Sequence, residues 1–107
     1  MIRYQIRGEN LKTTDAINNY ISTRLDKLNN YIDKKADTLA RVNIKKYSEK
    51  QFKIEVTIPL PYLTLRAEDT QSDFYSAVDF VSDKLLRQIR KFKTRVNRKS
   101  REKGYKG

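Results

Sequence analysis

Residues 74–92 read FYSAVDFVSDKLLRQIRKF, and this stretch decides how the chain folds. Its apolar residues recur every three or four positions, which is the period of a helix with one apolar face. The members of this apolar stripe are Phe74, Ala77, Val78, Val81, Leu85, Ile89 and Phe92. An amphipathic helix buries such a face against other elements, so the sequence predicts a helix that covers a sheet.

Positive charge is concentrated at the same end of the chain. Residues 84–107 contain eleven Lys or Arg and one acid, Glu102, whereas residues 1–83 contain thirteen basic and twelve acidic residues. Five of the cations follow one another about one helical turn apart beside the apolar stripe: Lys84, Arg87, Lys91, Arg95 and Arg98. A run of charge is often only a solvated face, but like charges four residues apart destabilise a helix by about 0.2–0.5 kcal/mol per pair. We therefore expect a polyanionic partner, and a phosphate backbone fits best.

The remaining segments predict four strands and a second helix. Polarity alternates around Ile2–Tyr4–Ile6, and again in 40–44, 52–60 and 63–67, as in strands with one buried face. Apolar residues at helical spacing predict a first helix over 14–32 that begins at a threonine cap, and Thr70 or Ser72 is expected to cap the second helix. The order is β-α-β-β-β-α. The expected fold class is a two-layer α+β domain, a four-stranded sheet with two helices packed on one face, resembling double-stranded-RNA-binding domains.

Arg24 breaks the pattern of the first helix, because its position falls within the apolar stripe. One interpretation is that its stem packs against the core while the guanidinium reaches solvent. The other is that Arg24 and Lys27, one turn away, project toward the anion that the second helix contacts. Both can hold together.

Composition excludes several classes of function. The 107 residues suffice for one domain, and they include no cysteine and no histidine. We therefore expect no catalytic site, no metal site, no cofactor and no small-molecule substrate, since the carboxylates Glu68, Asp69 and Asp73 are explained by turns and caps. The chain lacks a signal peptide and any apolar run that could cross a bilayer, which predicts a soluble, cytoplasmic protein without a membrane partner.

Several motifs together resemble one family. They are IRGENL at 6–11, TDAI at 14–17 followed by Tyr20, RLDKL at 24–28, LRAE at 65–68, DFYSAVD at 73–79 and DKLLRQIRK at 83–91. In order and spacing they are similar to the ribosome hibernation promoting factors, also called protein Y or ribosome-associated inhibitor. The resemblance covers about nine tenths of the chain, and the fold of that family has the element order expected above.

The resemblance implies a function and a set of contact residues. Members of the family bind the small ribosomal subunit in the decoding channel, where they contact 16S ribosomal RNA, block messenger and transfer RNA, and silence translation under stress or in stationary phase. The RNA-binding residues implied here are Arg24, Lys27, Lys84, Arg87, Arg90 and Lys91, with Lys93, Arg95 and Arg98 extending the patch.

The resemblance also implies a domain division. Residues 1–95 would form the ribosome-binding domain, and 96–107 would be a basic linker or disordered tail like the linker of the family's long form. In the long form a C-terminal domain dimerises ribosomes. We expect that domain to be absent here, and we therefore expect binding to the small subunit without ribosome dimerisation. The alternative function is a stand-alone double-stranded RNA-binding module, and docking on anionic lipid or on an acidic protein groove ranks below both.

Overall fold

Four strands form a single mixed sheet in the computed structural model, which describes residues 1–33 and 35–106, with side chains through residue 95. The elements in chain order are β1 (Ile2–Glu9), α1 (Asp15–Leu25), the 3₁₀ helix η1 (Asp26–Tyr31), β2 (Thr38–Ser48), β3 (Gln51–Pro59), β4 (Thr64–Gln71) and α2 (Phe74–Lys106). The strands lie side by side in the order β1-β2-β3-β4. This arrangement confirms the predicted β-α-β-β-β-α order.

The pairing of the strands follows from their connections. β1 pairs in parallel with β2, with Ile6 opposite Val42, and the two are joined by a crossover that contains α1. β2 and β3 form an antiparallel hairpin, with Val42 opposite Val56, and β4 continues the sheet antiparallel to β3, with Val56 opposite Ala67. The register therefore brings the alternating apolar residues of neighbouring strands to one face.

That face forms the core together with the two helices. The sheet contributes residues such as Ala40, Val42, Ile44, Ile54, Val56, Ile58 and Leu65, and the helices contribute Ile21, Leu25, Leu28, Ala77, Val81, Leu85 and Ile89, each at most 1% exposed. The apolar stripe of α2 is thus buried from Phe74 to Ile89 as its spacing predicts, and Phe92 is partly exposed. The two-layer α+β architecture is confirmed, and it leaves the opposite face of the sheet open.

The first helix is shorter than predicted. Its α-helical part ends at Leu25, and the chain continues to Tyr31 as a 3₁₀ helix. Leu28 stays buried, while the Oδ1 atom of Asn29 accepts a hydrogen bond from the Ile2 backbone N–H at 3.1 Å. The tighter helix therefore lets one asparagine bind the first strand, an interaction that an apolar period does not reveal.

The last strand is longer than the predicted 63–67, and the cap of α2 is a different residue from those expected. β4 extends to Gln71 because Asp69 and Gln71 pair with Ile54 and Phe52 of the long strand β3. The helix cap is Asp73 rather than Thr70 or Ser72, since its Oδ2 accepts a hydrogen bond from the backbone N–H of Ser76 at 3.0 Å.

A tight turn connects β1 to α1. A methyl group at Gly8 would lie 2.2 Å from the carbonyl oxygen of Leu11, so only glycine allows this approach. Asn10 has a φ of 57°, a left-handed conformation that asparagine tolerates. Thr14 then caps α1 as predicted, accepting a hydrogen bond from the Ile17 N–H at 3.2 Å.

Helix α2 is much longer than the strands that it covers: it has 33 residues, and the longest strand, β2, has 11. The helix continues through 96–106, the segment in which the sequence predicts a linker or tail. The side chains of 96–107 lie outside the described residues, and the division into a domain over 1–95 and a tail over 96–107 stays a prediction.

Candidate nucleic-acid interface

The first group of basic residues lies where α2 passes the edge strand β4. Lys84, Arg87 and Lys91 line one side of a groove of about 780 Å³, and Arg66 lies on its β4 side. Two carboxylates, Glu55 and Glu68, also line the groove. We call Lys84, Arg87, Lys91 and Arg66 the β4-side group. Arg87, Lys91 and Arg66 are exposed, so their charges are presented to solvent on one side of the helix.

Within the β4-side group, Lys84 is held by the protein itself. Its Nζ lies 3.0 Å from Asp69 Oδ1 and donates to the carbonyl oxygen of Glu68 at 2.8 Å. The Asp69 side chain is only 16% exposed, and its other oxygen accepts from Gln71 Nε2 at 2.7 Å. The charge of Lys84 is therefore partly neutralised before any partner arrives.

Gln88 joins α2 to the edge of the sheet at the same groove. Its Oε1 accepts from the Arg66 backbone N–H at 3.2 Å, and its Nε2 donates to the Arg66 carbonyl oxygen at 2.6 Å. The side-chain amide thus takes the place of a neighbouring strand and covers backbone groups that an edge leaves open. This contact fixes the position of the β4-side group relative to the sheet.

A second group of basic residues lies on the other side of α2, next to η1. The Nη2 atom of Arg90 donates to the Tyr31 hydroxyl at 3.1 Å, and its guanidinium carbon lies 5.6 Å from the centre of the Tyr31 ring. The Nζ of Lys93 lies 5.8 Å from the same ring. The half-exposed ring of Tyr31 therefore attracts both cations by cation–π interaction.

Arg24 and Lys27 belong to this second group, which we call the α1-side group (Arg24, Lys27, Arg90 and Lys93). They line a groove of about 230 Å³ between α1 and α2, together with Leu28, Asp79, Ser82, Asp83 and Leu86. Lys27 is exposed at its mouth. The two helices thus bring cations together from positions far apart in the sequence.

Arg24 is paired with an acid of the second helix. Its Nε lies 3.0 Å from Asp79 Oδ1 and 3.3 Å from the Tyr20 hydroxyl oxygen, and the Tyr20 hydroxyl donates to Asp79 at 2.8 Å. The hydrogen bond to Tyr20 and the charge of Asp79 raise the pKa of Arg24, while burial and the bond to Asp79 raise the pKa of Tyr20. The Arg24 side chain is still 39% exposed, so the stem packs while the head reaches the groove.

The nine predicted contact residues are thus not one row. Lys84, Arg87 and Lys91 lie on the β4 side, and Arg24, Lys27, Arg90 and Lys93 lie on the α1 side. Arg95 is exposed on α2, and Arg98 lies outside the described side chains. Among the described side chains, Lys27, Arg87, Arg90, Lys91, Lys93 and Arg95 have no salt-bridge partner.

Sequence reasoning missed Arg66. Alternation in β4 places it opposite to the buried Leu65 and Ala67, but only the three-dimensional packing of α2 on this edge brings it to Lys84 and Arg87. Two exposed tyrosines that could stack on bases are engaged with other rings: the Tyr62 ring stacks on Phe92 with centroids 5.2 Å apart, and the Tyr75 ring meets Tyr20 edge-on at 4.7 Å.

Two further observations concern the part of the chain that the structure describes. None of its helices combines the length and apolar character needed to traverse a bilayer. No three acidic side chains within it come close enough together to hold a metal ion.

Comparison with known proteins gives close relatives. A protein of Lactococcus lactis subsp. cremoris (strain MG1363) named ribosome hibernation promotion factor is 54% identical over 101 residues, which cover 94% of this chain and 55% of the relative. A protein of the same name from Staphylococcus aureus (strain COL) is 51% identical over 104 residues, covering 97% of this chain and 55% of the relative. The chain therefore spans about half the length of the curated relatives that it matches.

Solved structures agree with the fold. The crystal structure of the Thermus thermophilus Protein Y N-terminal domain superposes with a TM-score of 0.77 at 33% identity, covering 86% of this chain and 99% of that one. A ribosomal subunit interface protein from Coxiella burnetii has a TM-score of 0.72 at 20% identity, covering 88% and 99%, and shows the fold alone. The family model described as Sigma 54 modulation protein / S30EA ribosomal protein matches residues 4–97. These matches confirm the resemblance predicted from the motifs, and the chain belongs to the Sigma 54 modulation protein / S30EA ribosomal protein family.

Proposed function

We propose that this domain is a ribosome hibernation module that binds the small ribosomal subunit in the cytoplasm and silences translation. The names of its relatives, ribosome hibernation promotion factor, support the ribosome as partner. We propose further that it lies in the decoding channel against 16S ribosomal RNA and excludes messenger and transfer RNA. Ribosome dimerisation would belong to the rest of the longer relatives.

One observation carries the proposal: uncompensated cations flank both sides of a single helix. Arg87 and Lys91 on the β4 side, and Arg90 and Lys93 on the α1 side, have no carboxylate partner among the described side chains. Groups that face in two directions suit a cavity with phosphates on both walls better than one flat duplex. Each phosphate contact releases counterions and adds affinity that falls with salt.

The proposed action is occupancy. The sheet and the buried face of α2 supply a rigid body, and the two basic groups attach it to RNA. Such a mechanism makes and breaks no covalent bond, so the domain would act as an inhibitor rather than as an enzyme.

Cosedimentation with purified small ribosomal subunits at two salt concentrations tests the proposal. The variant Arg87→Glu/Lys91→Glu should weaken binding at least 30-fold, because each lost phosphate contact costs about six-fold at 0.1 M salt. The matched control is Lys12→Glu/Lys50→Glu, which makes the same change in net charge at exposed residues outside both basic groups. Its binding should stay within about three-fold of the parent chain.

Two outcomes would contradict the proposal. Equal losses in both double variants would mean that net charge alone governs binding. Competition by free duplex RNA as effective as that by small subunits would favour the alternative of a stand-alone double-stranded RNA-binding module. A cell-free translation reaction adds the functional measurement, since the parent chain should inhibit it and the Arg87→Glu/Lys91→Glu variant should not.

A further inference from the structure

The open face of the sheet carries a small polar cavity on the side opposite to α2. It has a volume of about 480 Å³ and is lined by Gln5 and Arg7 of β1 and by Arg41 and Asn43 of β2. The parallel register sets Gln5 beside Arg41 and Arg7 beside Asn43. The four residues therefore occupy the corners of a rectangle, and the two arginines lie at diagonally opposite corners. Ordinary strand spacings put the Cβ atoms of the two arginines about 8 Å apart.

These four side chains share one chemical property: each can donate hydrogen bonds, and none is negatively charged. In the part of the chain that the structure describes, none of the four side chains has a salt-bridge or hydrogen-bond partner. Guanidinium forks match the oxygens of phosphate, and side-chain amides add neutral donors. A cavity of uncommitted donors with two positive charges fits a phosphate group.

Most other charges on this sheet face are paired by contrast, although the exposed Arg66 of β4 also has no salt-bridge partner among the described side chains. Lys45 lies 3.3 Å from Glu55, and Lys53 lies 3.5 Å from both Glu55 and Glu68, which makes a continuous chain of ion pairs across β2, β3 and β4. On β1 itself, Arg3 is paired with Asp37 at 3.4 Å. The free arginines are therefore a local exception on a face whose other charges are mostly matched.

Two acids flank the cavity on the same face, Glu9 on β1 and Glu55, which pairs with Asn43 across β2 and β3. Glu55 is bound by Lys45 at 3.3 Å and by Lys53 at 3.5 Å, and it forms no salt bridge with Arg7 or Arg41 among the described contacts. Glu9 lies two residues after Arg7 on β1, but it forms no salt bridge with Arg7 among the described contacts. Its charge acts on Lys45, whose pKa is raised mainly by Glu55 and also by Glu9.

We propose that Arg7 and Arg41, with Gln5 and Asn43, form a phosphate-binding site on the open face of the sheet that contacts a second RNA backbone segment. This site rests on the proposed ribosome binding and extends it. The domain would then contact RNA through the basic groups beside α2 and also through the open face of the sheet. Charge complementarity selects the occupant: two unpaired guanidinium groups attract a phosphodiester, and the flanking amides donate to its oxygens.

Two double variants of the 107-residue chain test this site. Arg7→Ala/Arg41→Ala removes both guanidinium groups, and Arg3→Ala/Lys45→Ala removes two charges from the same face that are already paired with acids. Binding of each chain to purified small subunits is measured by fluorescence anisotropy from 50 to 200 mM salt. The first variant should lose about 30-fold in affinity at 0.1 M, and its slope of log affinity against log salt should become shallower by about 1.5. The second variant should stay within about three-fold.

The outcomes separate this site from the proposed function. Equal losses in both variants, or parent-like binding of Arg7→Ala/Arg41→Ala, would overturn the site. If Arg87→Glu/Lys91→Glu still loses binding, the proposed function would stand. Loss of affinity with an unchanged salt slope would point to an acidic protein surface and would also overturn the RNA assignment, because counterion release is a property of the polyanion.

A second measurement does not require the ribosome. Inorganic phosphate is titrated into the isotope-labelled chain while NMR follows the arginine Nε–H resonances. Arg7 and Arg41 should shift together and saturate, whereas Arg3 should not. Absence of a shift at Arg7 and Arg41 would refute the site even if the chain never bound a subunit.

Discussion

Lys84→Ala should weaken small-subunit binding much less than Lys91→Ala, although both remove one cation from the β4-side group. Lys91 is exposed and has no salt-bridge partner among the described side chains, so its removal should cost one phosphate contact, about six-fold at 0.1 M salt. Lys84 is 42% exposed but lies 3.0 Å from Asp69, and such a pair contributes at most about 1 kcal/mol. To bind phosphate, Lys84 must weaken that pair, at a cost of about five-fold in affinity, which nearly cancels the gain.

The same reasoning predicts a gain of affinity when Asp69, the partner of Lys84, is replaced. Asp69→Asn should release Lys84 and strengthen binding by about five-fold, and combining it with Lys84→Ala should remove that gain. Anisotropy titrations of the parent chain and all four variants between 50 and 200 mM salt measure these effects. Urea unfolding of each chain provides the control for stability. Equal losses of affinity and of salt slope for Lys84→Ala and Lys91→Ala would refute the idea that internal pairing withdraws Lys84 from the interface.

Three further predictions concern the scaffold. Gln88→Met keeps the length of the side chain but loses both hydrogen bonds to Arg66, so urea unfolding should show a stability lower by about 1–2 kcal/mol. Gly8→Ala should cost about 1–3 kcal/mol in the same assay, because its methyl group would lie 2.2 Å from the Leu11 carbonyl oxygen; unchanged stability would mean that the turn adapts freely. Burial acts to raise the pKa of Glu55, but its two lysine partners outweigh burial and the net pKa is lowered. Its contribution to stability is therefore present above the ordinary glutamate pKa of about 4.3 and is lost as pH falls through the lower folded pKa, and Glu55→Gln should lose less stability over that acid range in pH-dependent urea melts.

Local patterns were sufficient to predict the architecture. The alternation in 52–60 and the helical spacing of 74–92 each predict which residues face inward, and Val56 and Leu85 are among those that the structure buries. The same patterns could not predict hydrogen bonds between elements that lie far apart in the sequence. Asn29 bonds to β1, and Asp73 rather than a hydroxyl caps α2, because the chain path decides which polar side chain reaches the free backbone group.

Prediction of the candidate site from the sequence has the same limit. Periodicity placed basic residues beside the apolar stripe, and the stripe is buried from Phe74 to Ile89 as expected. It could not show that α2 separates Lys91 from Arg90, or that Asp69 and Asp79 come from elsewhere to pair with Lys84 and Arg24. Such pairings depend on tertiary packing, which a count of charges along one helix does not contain.

The hydrogen-bonded connection between the two helices has a consequence for the thermodynamics of association. Asp79 of α2 binds both Tyr20 and Arg24 of α1, and Tyr31 holds Arg90 at the other end of the same seam. The side chains at this seam are already ordered before they meet a partner, so complex formation there should lose little conformational entropy. Affinity would then depend on how well the phosphate spacing of the RNA partner matches the fixed positions of these basic side chains. The domain would therefore select a partner by the shape of the cavity that the partner offers.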